Sequence, residues 1–218
     1  MPDTTQLLVF IAAGWLLNLT PGPDVLYIVS HALRSGVRAG IVAALGVVSG
    51  CFVHVLAAAL GVGALLATSA TAFMALKWLG AVYLLWMGVR LLLAQGSDGG
   101  VVPAAGALPA LPATSLWRVY RQGFLTNVLN PKVALFFLAF VPQFIAPGTD
   151  NKMLVFLLLG LLFNLNSLPI NFGYAWLAGW ASHRIKTVQR AMHWMDKAAG
   201  LMFVAFGLRL AMSENPSL

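Results

Sequence analysis

The sequence predicts an all-α polytopic membrane protein, and three observations lead there. Of its 218 residues, 60% are hydrophobic and 9% charged, where a soluble domain carries about 25% charged residues. Apolar runs of about twenty residues, the length that crosses a bilayer, recur along the whole chain. Basic residues gather in alternate loops instead of spreading over all of them.

The first apolar run covers residues 6–33 and is interrupted by "NLTPGPD" at 18–24. The second and third cover 39–67 and 70–94. A Gly-, Pro- and Ala-rich stretch, 95–122, follows and reads as a linker. Three more runs cover 123–147, 152–180 and 194–213, giving six transmembrane helices. The count falls to five if the first segment only lies at the interface. The expected organisation is a three-helix repeat (1–94), a cytoplasmic linker (95–122) and a second three-helix repeat (123–218).

Orientation follows from the basic residues. Arg34 and Arg38 lie between the first two runs. Arg90 lies near the end of the third run, Arg118 and Arg121 lie in the linker, and Arg184, Lys186, Arg190 and Lys197 lie from the fifth run into the sixth. Lys152 is nearly alone on the other side. The positive-inside rule places those three loops in the cytoplasm and both termini outside. It also accounts for the net charge of +7 without a nucleic-acid partner. The N-terminal stretch has Asp3 and no basic region, so a cleaved signal peptide is not expected.

The halves repeat weakly. "KWLGAVYLLWMGVRLLL" (77–93) aligns with "KAAGLMFVAFGLRLAM" (197–212), pairing Lys77 with Lys197, Gly80 with Gly200, Gly88 with Gly207 and Arg90 with Arg209. Halves of three spans each must be inverted across the membrane. Such a repeat requires a partner for the first break, and "NVLNPK" at 127–132 supplies it. With Pro23 set against Pro131, Asp24 falls opposite Lys132.

Proline lacks an N–H and clashes with the preceding turn, so it ends one helix and suits the start of the next. Thr20 and Asn130 precede prolines and are expected as N-caps. Each break then offers a helix N-terminus near mid-membrane, where an anionic group is favoured. Asp24 and Lys132 sit at a depth where a charge costs about 2.5–3.5 kcal/mol. They offset this by facing each other, or by facing water and a ligand. An α-amino acid has the matching parts: a carboxylate for the helix ends and an ammonium for Asp24. Against this stands a buried ion pair that merely locks the fold.

Other residues are secondary. Tyr27 and His31 share a helical face with Asp24; Tyr27 is expected along the pathway, and His31 near the interface. Gly46, Gly50 and His54 are spaced by four, a helix-contact strip of the G-x-x-x-G kind, with His54 a proton relay or a core histidine. Asn164, Ser167 and Asn171 form a polar face on the fifth run, which touches substrate or joins helices. One cysteine, Cys51, and four scattered histidines offer neither a metal grouping nor a nucleophile–base pair. No cofactor and no enzymatic activity are expected.

These residues resemble the LysE/RhtB superfamily of bacterial amino-acid exporters. The likeness lies in "TPGPDVLYIVSHALRSGVRAGIVAALG" (20–46), "KWLGAVYLLWMG" (77–88) and "RQGFLTNVLNPKVALFFLAFVPQF" (121–144). The resemblance implies export across the bacterial inner membrane, driven by the proton motive force. It also implies that Pro21, Gly22, Pro23, Asp24, Asn130, Pro131 and Lys132 belong to the transport core. The site expected from both lines adds Tyr27, Asn164 and Asn171, with Asp24 and Lys132 coupling protons. The expected partners are an amino acid, protons and lipid, with a homo-oligomer left open. The rival from another class is a non-transporting membrane assembly protein.

Overall fold

The computed structural model describes residues 3–68, 70–93, 115–146 and 148–180, and scattered helical positions between 194 and 212. Among the described residues every element is helical. α1 (Thr4–Leu19) and α2 (Pro23–Ser35) meet at 53° across the first break. α5 (Leu116–Val128) meets the run Pro131–Phe144 at 47° across the second. That run holds α6 (Pro131–Leu135), a π-helical turn (Phe136–Phe140) and a 3-10 turn (Val141–Phe144). α3 (Val37–Thr68), α4 (Ala70–Leu93) and α7 (Lys152–Trp180) are unbroken. Val37–Gly61 and α7 are each long and apolar enough to cross a bilayer, and counting each bent pair as one span gives four such elements.

Local sequence explains the ends. Asp3 and Gln6 form a capping box at α1, with bonds of 2.7 and 3.0 Å between side chain and backbone. Gly36 turns α2 into α3 at φ +82°, a backbone conformation that side chains resist. α3, α4 and α7 lie where 39–67, 70–94 and 152–180 are expected. α5 starts at Leu116, inside the stretch read as linker. "SLWRVYRQ" places Ser115 at the N-cap and stacks Trp117 on Tyr120 at 5.4 Å, so this segment continues the helix instead of the Gly/Pro stretch before it. Residues 95–114, and residues 195, 196, 199, 202, 206, 209, 210 and 213 of the sixth run, lie outside the described residues.

α3 is the central post, packed by α2, α5 and α7. Small residues allow this in lipid, where backbones must approach closely for packing to hold helices together. A methyl on Gly46 would fall 2.2 Å from the carbonyl oxygen of Tyr120, and one on Gly50 2.5 Å from that of Phe124. Gly123 of α5 answers, lying against the carbonyl of Ala43. His54 continues the same strip, its Nε2 2.8 Å from the carbonyl of Asn127. The glycine strip is therefore a helix contact, and His54 is a hydrogen-bonded half-buried histidine at its end.

Gly88 and Gly207, paired in the sequence alignment, each sit at a close helix contact. Gly88 on α4 lies against the carbonyl of Gly200 and against Val204, while Gly207 lies against Leu85 and the carbonyl of Ala81. Phe10, Phe136, Phe137, Phe140, Phe144 and Phe163 fill the core beyond the second break, with ring centroids 5.1–6.2 Å apart for the contacting pairs. Outside, Leu8, Leu60, Leu79, Leu93, Trp86 and Trp176 are exposed, as a lipid-facing surface requires.

Candidate substrate site at the two helix breaks

At the first break, α1 ends on Thr20, whose backbone N–H donates to Leu16 O at 2.9 Å and whose hydroxyl donates to the same carbonyl. The expectation that Thr20 caps the next helix is corrected. Gly22 holds the N-cap of α2, Pro23 opens it and Asp24 lies in its first turn. The physical reason is the doubled proline. Pro21 forces Thr20 into extended backbone, ψ 120°, and a helix can restart only at Pro23. At the second break the expectation holds: Asn130 is the N-cap, its Oδ1 accepting from Lys132 N at 3.0 Å.

The charges brace the two breaks against each other. The ammonium of Lys132 donates to the carbonyls of Leu17 and Thr20, each at 3.0 Å. Those are C-terminal carbonyls of α1, which lack helical partners and carry the negative end of its dipole. Asp24 reaches the other way. Its Oδ2 accepts from Asn130 Nδ2 at 2.8 Å and from Asn127 Nδ2 at 3.0 Å. Each charge opens the second half of its own broken span and is held at the C-terminal end of the other span's first half. Gly22 makes this fit, since a methyl there would stand 3.1 Å from Lys132 Nζ. Asp24 is 7% and Lys132 5% exposed.

A cavity lies where the breaks meet. Asn18, Asp24, Asn127, Lys132, Asn164, Ser167 and Asn171 form its polar lining, with Cys51 and Phe163 among the apolar wall. Several of its polar atoms are buried without a hydrogen-bond partner: Asp24 Oδ1, Asn127 Oδ1, and both Oδ1 and Nδ2 of Asn164. Buried polar groups are otherwise satisfied in the great majority of cases. Unmet capacity concentrated in one cavity marks a place that a polar ligand or water completes.

Of the residues expected from sequence, Asp24, Lys132, Asn164 and Asn171 line this cavity. Pro21, Gly22, Pro23, Asn130 and Pro131 build the breaks beside it without lining it. Tyr27 is not brought there. Its hydroxyl donates to Val119 O at 2.8 Å, and its ring packs on His31 at 4.3 Å; the His31 Nδ1 lies 3.0 Å from Tyr27 O. His31 is itself buried. Asn127 is the residue that sequence reasoning passed over, although it opens "NVLNPK". An amide placed four residues before the proline of a break in an apolar run was the signal.

The family model for LysE type translocators matches residues 15–214. An uncharacterized membrane protein of Vibrio cholerae is 32% identical, over 97% of this chain and 99% of its own. A homoserine/homoserine lactone efflux protein of Salmonella typhimurium is 30% identical, over 94% and 96% respectively. A leucine efflux protein of Enterobacter is 29% identical, over 93% of both chains. No solved structure matches the chain. This multi-pass membrane protein belongs to the LysE type translocator family.

Proposed function

We propose that the protein exports amino acids or close derivatives from the cytoplasm across the bacterial inner membrane, driven by the proton motive force. The single observation that carries this is the cavity between the breaks, with an unpartnered carboxylate oxygen on Asp24 and unpartnered amide atoms on Asn127 and Asn164. Family membership and the efflux names of the two relatives support the substrate class.

The architecture of the reading is six spans in two inverted repeats, 1–94 and 116–218, joined by a cytoplasmic linker within 95–115, with both termini outside. The reciprocal brace of Asp24 and Lys132 supports it, as does the mutual contact around Gly88 and Gly207. Asp24 receives the ammonium of the cargo and exchanges it for a proton. Lys132 holds the end of α1 and keeps a positive charge near Asp24 when the cavity is empty. The two units rock about this centre.

The test is a panel of radiolabelled amino acids in proteoliposomes, with and without an imposed pH gradient. At least one is expected to move, and to accumulate when the gradient is applied. No flux for any member would sink the export reading, and flux indifferent to the gradient would remove the proton coupling.

A further inference from the structure

We propose that His54 and Tyr174 are positioning residues of the transport site, each supplying to a broken span the hydrogen-bond donor that a proline removes. What they position the site for rests on the export reading; that they hold the breaks does not.

In an α-helix the N–H of each residue donates to the carbonyl four residues before it. Proline has no N–H, so it orphans one defined carbonyl. Pro21, Pro23 and Pro131 therefore leave Leu17 O, Leu19 O and Asn127 O without their helical donors. In lipid no water makes up such a loss. All three carbonyls take a donor from another element. Lys132 Nζ reaches Leu17 O at 3.0 Å. The Tyr174 hydroxyl, from α7, donates to Leu19 O at 2.9 Å. His54 Nε2, from α3, stands 2.8 Å from Asn127 O. A carbonyl only accepts, so Nε2 carries the hydrogen. Asn130 N also donates to Asn127 O, at 2.8 Å, closing a tight turn at the break. His54 fills the second lone pair of that carbonyl.

The two neutral donors are matched. With Pro23 aligned on Pro131, Leu19 and Asn127 take the same place. Tyr174 comes from the fifth apolar run and His54 from the second, the pair that two inverted three-helix repeats make equivalent. Each half lends a donor to the break of the other. Two chance contacts would have no reason to fall on equivalent carbonyls.

Both carbonyls belong to the hold on the buried charges. Leu19 lies between Leu17 and Thr20, the acceptors of Lys132. Asn127 gives its side-chain amide to Asp24 Oδ2 at 3.0 Å. Asn130, bonded through its N–H to the carbonyl that His54 holds, gives its own at 2.8 Å. A break without its donor frees its last turn, and the charge held there moves with it. Neither His54 nor Tyr174 lines the cavity. They act through Lys132 and Asp24, not on the cargo.

The experiment compares three variants of the full-length protein in proteoliposomes. Tyr174→Phe removes one hydroxyl, and His54→Leu removes the donor. His54→Gln keeps a carboxamide N–H near the place of Nε2. One readout is the half-saturating concentration for an amino acid that the wild type exports. The other is the rate at which a small methanethiosulfonate reagent modifies Cys51, which lines the cavity. Tyr174→Phe and His54→Leu are expected to raise half-saturation about tenfold and to speed Cys51 modification severalfold, as an unmet buried carbonyl predicts. His54→Gln is expected to stay within about threefold of wild type in both. Wild-type values in Tyr174→Phe overturn the role of Tyr174. Equal losses in His54→Leu and His54→Gln overturn that of His54, since they would put the ring's packing, not its donor, at work. If the wild type exports no amino acid, the export reading fails, and the Cys51 rates still decide whether the donors hold the breaks. Should His54→Leu not fold, Tyr174→Phe and His54→Gln decide by the same two measures.

Discussion

Asp24→Asn is expected to abolish gradient-driven export while leaving the protein folded in the membrane. The reason lies in its two oxygens. Oδ2 accepts from the amino groups of Asn127 and Asn130, so the new amide must turn its oxygen toward them. Its own amino group then takes the place of Oδ1 and points a donor into the cavity. An ammonium meets a like partner where it had met an anion. Loss of one charged hydrogen bond is worth roughly 10–100-fold in binding, and inverting it adds to that. The proposed proton carrier disappears as well. Melting temperature should change by a few degrees only, because both amide bonds survive. Export at the wild-type rate in vesicles holding this variant would refute the role given to Asp24.

Lys132→Met is expected to damage stability as well as transport. Methionine has about the same length and no charge. The Leu17 and Thr20 carbonyls would lose the donor that Lys132 provides, at a break where the chain cannot supply helical N–H groups. Asp24 would lose its neighbouring positive charge in the same step. Removing one member of such a buried charged arrangement costs about 3–5 kcal/mol, which in a chain of this size lowers the melting temperature by about 10 °C. Asp24→Asn and Lys132→Met should therefore separate, the first lowering the melting temperature by a few degrees and the second by about 10 °C. A Lys132→Met protein that melts and exports like the wild type would show that the brace holds nothing.

The two breaks were legible in the sequence because proline and buried charge each act locally. A ring without an N–H ends a helix whatever surrounds it, and a charge in an apolar run demands a partner. Which partner it finds is not local. Asp24 and Lys132 fall opposite each other when the two prolines are aligned, yet each is held at the far break by groups whose position depends on how α1 and α5 cross. Thr20 failed as a cap because two prolines, not one, delay the next helix start. Tyr27 shares the face of Asp24 by spacing, but its longer reach carries the hydroxyl to α5 at Val119. Asn164 and Asn171 were found because they repeat on one helical face. Asn127, alone on its face, had only its depth to mark it. The contact strip of Gly46 and Gly50 was readable as small residues at a spacing of four, while its partner, α5, was not.

The central claim is that the cargo occupies the cavity between the breaks, and the chain carries its own reporter there. Cys51 is its single cysteine; it is buried and lines that cavity. A small methanethiosulfonate reagent applied to protein in proteoliposomes should modify it only as the cavity opens. A saturating concentration of an exported amino acid is predicted to slow that reaction severalfold, and Asp24→Asn to remove the protection. Modification at the same rate with and without an amino acid that the protein demonstrably exports would place the cargo somewhere else.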